Sequence, residues 1–161
     1  MKTHLLLTLA LLLLPGLAAC SDDDYNSRLP EIEDIVCVNQ DGSTALRVGD
    51  TVTVTVKQAR KGHLLEKTTY TWSCDNADIV FSPATETVAY DNKNANPVTR
   101  FTATAAGNLK LTFKAEYRPY GLVETGGSYT KDFANGGGSA DYIISELKAN
   151  ITATKTIRIA Q

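Results

Sequence analysis

Few residues in this chain have types and spacing suited to chemistry. It holds three cysteines, Cys20, Cys37 and Cys74, and two histidines, His4 and His63. His4 falls in an N-terminal leader, so a Ser–His–Asp or Cys–His arrangement would have to use His63. That residue ends the polar turn Arg60-Lys61-Gly62-His63, where histidines are usually solvated. A zinc site from Cys37, Cys74 and His63 has no CxxC or HxxxH spacing behind it. Asp75-Asn76-Ala77-Asp78 and the stretch from Asp91 to Asn96 miss the alternate-position spacing of a calcium loop. Gly136-Gly137-Gly138 lacks a Lys-Ser/Thr continuation and reads as linker rather than anion nest. No paired carboxylates or nucleophile motif stand out. The expectation is a non-enzyme with no cofactor and no metal.

Binding is the better prospect. The segment between Tyr117 and Ala149 carries Tyr120, Tyr129, Phe133 and Tyr142. Tyrosines offer stacking area and a hydroxyl at small entropic cost, which suits sugars or protein partners. The competing reading is that these aromatics cover an edge of the fold. Trp72, mid-strand between Tyr70 and Cys74, is expected in the core.

The elements that position these residues begin after a leader. Met1-Lys2-Thr3-His4 precedes an apolar run from Leu5 to Leu14 and then Pro15-Gly16-Leu17-Ala18-Ala19-Cys20. A cation, a short apolar stretch and small residues mark a secretory signal peptide. The run is too short to cross a bilayer stably, which takes about 20 apolar residues. Leu17-Ala18-Ala19-Cys20 resembles the lipobox of bacterial lipoproteins. That resemblance implies cleavage before Cys20, a diacylglycerol thioether on its sulfur and an acylated amine. Ser21-Asp22-Asp23-Asp24 resembles the acidic export signal of Bacteroidota-type surface lipoproteins, which implies the outer face of the outer membrane. Physically the run is also a solvated acidic tether. The expected division is a leader over 1–19, a lipidated cysteine and tether over 20–30, and one domain over 31–161.

Cleavage leaves 142 of the 161 residues, enough for one domain with a real core. The whole chain has 16 Lys+Arg against 18 Asp+Glu, and 43% of it is hydrophobic. That balance excludes a disordered polyampholyte, and it excludes a basic nucleic-acid binder. With Cys20 lipidated, Cys37 and Cys74 remain as an even pair in an oxidising compartment, so a disulfide is expected. Two buried free thiols are the alternative.

Beyond the tether the pattern has period two. Ile35 to Val38 is a short β-branched run. Thr51-Val52-Thr53-Val54-Thr55-Val56 alternates strictly, with the valines on one face. Thr69 to Cys74 puts Tyr70, Trp72 and Cys74 on one face. Asp78 to Phe81 and Val98 to Thr104 read as further strands. Leu109, Leu111, Phe113, Ala115 and Tyr117 point inward from another. Lys155 to Ile159 closes the chain.

About seven short strands argue an all-β, single antiparallel sandwich with a long insertion before the last strand. Val48-Gly49-Asp50-Thr51-Val52, Tyr70-Thr71-Trp72-Ser73 and Ala106-Gly107-Asn108-Leu109-Lys110-Leu111 resemble strands and turns of bacterial Ig-like and PKD-like modules. Trp72 and Cys74 stand two apart on one strand, so any disulfide differs from the immunoglobulin one. In the insertion, Gly126-Gly127 is expected to turn a hairpin between Tyr120–Thr125 and Ser128–Phe133. Asn135 to Gly138 reads as a flexible linker. Ser139 would cap a short helix carrying Ile143, Ile144 and Leu147, with a strand over Tyr142 to Ile144 as the alternative.

The resulting expectation is a surface-exposed, lipid-anchored outer-membrane protein. It would present loops to an extracellular glycan or protein partner, anchored to the membrane and without contact to nucleic acid. The alternative is a structural part of a pilus or envelope assembly, where strand edges make the contacts.

Overall fold

Alternating sequence becomes strand where one face is buried. The computed structural model describes residues 26–88, 96–121, 123, 126–145 and 147–161. The expected leader over 1–19, the lipidation residue Cys20 and the export signal Ser21, Asp22, Asp23 and Asp24 lie outside the described residues, as do residues 91–95.

Ten strands follow in order: β1 (Glu31–Val38), β2 (Leu46–Arg47), β3 (Thr51–Arg60), β4 (Leu65–Cys74), β5 (Thr85–Val88), β6 (Val98–Thr102), β7 (Gly107–Pro119), β8 (Gly127–Asp132), β9 (Gly138–Ser145) and β10 (Lys148–Ala160). A three-stranded antiparallel sheet has the order β1-β3-β6. A second sheet runs β5-β4-β7-β10-β9-β8, and β2 joins it by pairing in parallel with the end of β10. The inner faces of the two sheets share one core, so the protein is an all-β sandwich.

The alternating segments face as their patterns require. Val52, Val54 and Val56 are all buried, as are Leu109, Leu111, Phe113, Ala115 and Tyr117. Trp72 is a core residue, its ring centroid 5.4 Å from Phe113 and 6.0 Å from Tyr70. Burying each such side chain stabilises the fold by roughly 1.5–3 kcal/mol before entropy is counted.

The insertion departs from expectation. Residues 122, 124 and 125 of the expected first arm lie outside the described residues; among the described ones Val123 bridges to Ser27, and Gly127 begins β8, which pairs with β9. The turn joining these two strands is Phe133 to Gly138, read above as a linker. Phe133 N–H donates to the Gly138 carbonyl at 3.0 Å, and Gly136 N–H donates to Phe133 O at 2.9 Å. Gly136 and Gly137 have φ of +70° and +75°, the left-handed region that glycine occupies without penalty. No helix starts at Ser139. β9 occupies that stretch because β10 offers it a thirteen-residue strand with an open edge: β7 pairs one side from Ala149 to Ile159, and β9 pairs the other from Lys148 to Lys155.

Two more segments differ. Asp78 to Phe81 is not a strand; Ile79 and Phe81 are buried from a loop, with Phe81 5.4 Å from Phe101. The compact unit also starts before residue 31. Ser27 and Arg28 bridge to Val123 and His63, and Leu29 and Pro30 are buried.

The expected Cys37–Cys74 disulfide is absent: both are free thiols. Cys37 lies in the small sheet opposite Val54, whereas Cys74 lies in the large sheet opposite Leu111. Burial pushes the Cys37 thiol up to about 12, so it stays protonated and packs as a small hydrophobe. Unreduced, denatured protein should therefore take up two thiol labels at these positions. Native protein should label at Cys74 alone, and a failure to label after denaturation would restore the disulfide.

Candidate functional site

The four candidate aromatics do not form one cluster. Phe133 is buried, and its ring covers the hairpin turn beside Gly138. Tyr142 is 1% exposed on the inner face of β9. Its hydroxyl accepts the Ile32 N–H at 2.8 Å and so fastens β1 to β9. Burial pushes the Tyr142 hydroxyl up to about 12. Neither residue can contact a ligand directly, which corrects the expectation for both. Tyr120 is well exposed after the end of β7, and its N–H donates to the Leu64 carbonyl.

Tyr129 is the one that sits in a site. Register places it opposite Tyr142 on β8, and the rings stack at 4.4 Å between centroids with 7° between planes. One face of Tyr129 thus rests on a buried ring, yet the side chain remains 50% exposed. Such a ring is held in position by its partner and still offers a surface.

The open side borders a cavity of about 180 Å³ lined by Ser27, Leu29, Pro30, Glu31, Arg60, Val123, Tyr129, Lys131 and Ile144. Four segments build it: residues 27–31 leading into β1, the end of β3, Val123 between β7 and β8, and the β8–β9 hairpin. Lys131 Nζ forms an ion pair with Glu31 Oε1 across the mouth. That hydrogen bond, with smaller contributions from the charges of Lys131 and Arg60, holds the Glu31 carboxyl below its ordinary range. Partial burial, with the Glu31 charge nearby, raises the Tyr129 hydroxyl. The site therefore presents a carboxylate and a protonated tyrosine beside the basic side chains of Lys131 and Arg60.

Arg60, Lys131 and Glu31 were not singled out from sequence. Arg60 reads as part of a polar turn and Glu31 as the start of a domain. The Lys131–Glu31 pair spans a hundred residues, so no local pattern could announce it.

Two other cavities are less suited to a ligand. One, of about 460 Å³, lies between β1 and β10 and includes Asp34, Cys37, Leu46, Asn135 and Lys155. Asp34 and Lys155 are engaged with each other, Lys155 Nζ donating to Asp34 Oδ1 at 2.5 Å, and Arg158 lines the same cavity with no aromatic ring beside it. The other, of about 400 Å³, is a groove on the outer face of the large sheet among Thr69, Thr71, Lys114, Glu116 and Thr152. It contains no aromatic ring.

The remaining sequence candidates are not brought together. His63 bridges to Arg28 at one end of the sandwich, and Cys74 lies at the other, beside Asn76 and Leu111. Among the described residues no group of three or more His, Cys, Asp or Glu side chains is arranged to hold a metal. In the Asp75–Asp78 turn, Asn76 Oδ1 accepts the Asp78 N–H and Asp75 Oδ1 accepts the Lys110 N–H, so these side chains close a turn.

No family model, no curated protein and no solved structure matches this chain.

Proposed function

We propose that this protein is a non-catalytic binding module, lipid-anchored at Cys20 to the outer surface of a bacterial outer membrane, that holds an extracellular glycan or protein group against Tyr129. The observation that carries the binding reading is the half-exposed Tyr129 ring stacked on buried Tyr142. A large aromatic left half in water beside a polar cavity is what recognition uses. The anchor reading rests on Leu17-Ala18-Ala19-Cys20 and the Ser21 to Asp24 run.

Anchor and cavity are close in sequence. Ser27 on the cavity wall is seven residues from Cys20. Seven residues reach at most about 25 Å when fully extended. The site then stays near the membrane surface, which favours a partner that is itself displayed on the cell.

Strand addition, the structural alternative, has less support. The outer edge of β1 is partly closed by its own molecule: Ile32 N–H goes to the Tyr142 hydroxyl and Ile35 N–H to Asp34 Oδ1.

Screening the purified protein on a glycan array, beside Tyr129→Ala and Tyr120→Ala, tests the binding reading. Tyr129→Ala should reduce signal roughly tenfold or more while lowering Tm by only about 5 °C. Tyr120→Ala should leave binding unchanged, since Tyr120 is not on the cavity wall. Equal binding by wild type and Tyr129→Ala would refute the site. Mass spectrometry of the mature protein tests the anchor separately, with an acylated Cys20 as its N-terminus expected.

A further inference from the structure

The binding reading leaves open the chemistry of the bound group, and the cavity narrows it. Its volume of about 180 Å³ is below the usual range of roughly 300–1,000 Å³ for drug-sized ligands, so it takes one ring rather than a chain. Its charged lining is Arg60, Lys131 and Glu31, a net excess of one positive charge. Lys131 is committed to Glu31. Arg60 is exposed, and among the described residues its guanidinium makes no ion pair or side-chain hydrogen bond. A guanidinium is a planar fork matched to carboxylate oxygens.

We infer that the cavity beside Tyr129 binds a single carboxylated pyranose, of the uronic-acid type, with its ring on the open face of Tyr129 and its carboxylate on Arg60. A neutral sugar would use the ring and leave Arg60 idle. A bare anion would use Arg60 and leave the aromatic face wet. Only a ligand carrying both an apolar ring face and an anionic group satisfies the two together. Val123, Ile144, Leu29 and Pro30 supply the apolar wall behind it.

This inference rests on the binding reading, and the test separates the two. Saturation-transfer NMR on the purified protein would compare methyl glucuronide, methyl glucoside and acetate. The glucuronide should respond roughly tenfold more strongly than the glucoside, the scale of one charge-assisted contact. Arg60→Gln should reduce the glucuronide to the level of the glucoside. Tyr129→Ala should abolish both responses. Salt on the order of 0.5 M should erase the preference, because Arg60 is exposed and screened. Arg60→Gln should melt as wild type does and Tyr129→Ala about 5 °C lower, and a single cooperative transition in each confirms that the variants fold. Equal response to the two sugars, or a preference that survives Arg60→Gln, overturns the inference while leaving Tyr129 as a neutral-sugar platform. Acetate competing as well as the glucuronide overturns the sugar assignment. Silence from both sugars with binding of an acidic peptide overturns it too, and leaves the binding module with a protein partner.

Discussion

Replacing Lys155 with Met should destabilise the protein by roughly 3–5 kcal/mol, the effect expected when one member of a buried ion pair is removed. Asp34 is 4% exposed, at an irregularity in the β1–β3 register. Its Oδ1 accepts the Ile35 N–H at 2.7 Å and Lys155 Nζ at 2.5 Å. The Asn135 contact to Oδ2 is long, at 3.5 Å. Without Lys155 the carboxylate keeps one good hydrogen bond and no countercharge. The pair also ties β1 of the small sheet to β10 of the large one. An Asp34→Leu/Lys155→Met double variant should recover much of the loss, because a buried pair replaced by apolar groups of similar size costs little. Lys148 and Glu116 are nearly as close, at 2.7 Å, but each is about half exposed. Lys148→Ala should cost at most about 1 kcal/mol. Urea midpoints of the three variants measure all of this. A Lys155→Met midpoint within 1 kcal/mol of wild type would remove the pair from any account of stability.

Strands were legible where one face is core and the other is water. Val52 to Val56 and Leu109 to Tyr117 carry that contrast residue by residue, and their burial follows it. β9 hid its pattern because Ile143, 59% exposed, points outward among buried Ala140 and Tyr142. An apolar residue on the wet face turns alternation into a run, and Leu147 completed a false helical spacing. The open edge of β10 decides the outcome, and that edge is a tertiary fact. Asp78 to Phe81 failed for another reason: Ile79 and Phe81 are buried and Val80 is exposed, an alternation like that of a strand, but the segment is a loop without ladder partners. In the site, Tyr129 could be picked out by type, and nothing local separated it from Phe133 or Tyr142. Depth in the fold separates them, and it depends on which strand pairs with which. Arg60 and Glu31 are register partners in the β1–β3 pairing, and Lys131 reaches them only because the β8–β9 hairpin folds back beside the start of β1.

That hairpin makes Gly138→Ala the second large effect. Gly138 begins β9 opposite Lys155. A Cβ there would fall inside contact distance of the Thr154 carbonyl oxygen, and at 2.7 and 2.8 Å from Phe133 Cδ2 and Cε2. The carbonyl belongs to the β10 backbone and cannot rotate away as a side chain could. Either β9 shifts from β10 or the Phe133 ring leaves its place, so the loss should be about 2–3 kcal/mol. Gly126→Ala is the control: nothing lies within 4 Å of its Cβ, and its effect should stay within about 0.5 kcal/mol. Displacing β9 moves Tyr142, and Tyr142 carries Tyr129. Gly138→Ala should therefore weaken ligand binding as well as stability, though Gly138 does not line the Tyr129 cavity. Hydrogen exchange reads the cause directly. Amides of β9 and the adjoining half of β10 should exchange faster, while those of β3 and β6 in the other sheet keep their relative protection. Equal exchange and an unchanged melting temperature in Gly138→Ala would mean that the turn yields, and that the Tyr129 platform does not depend on it.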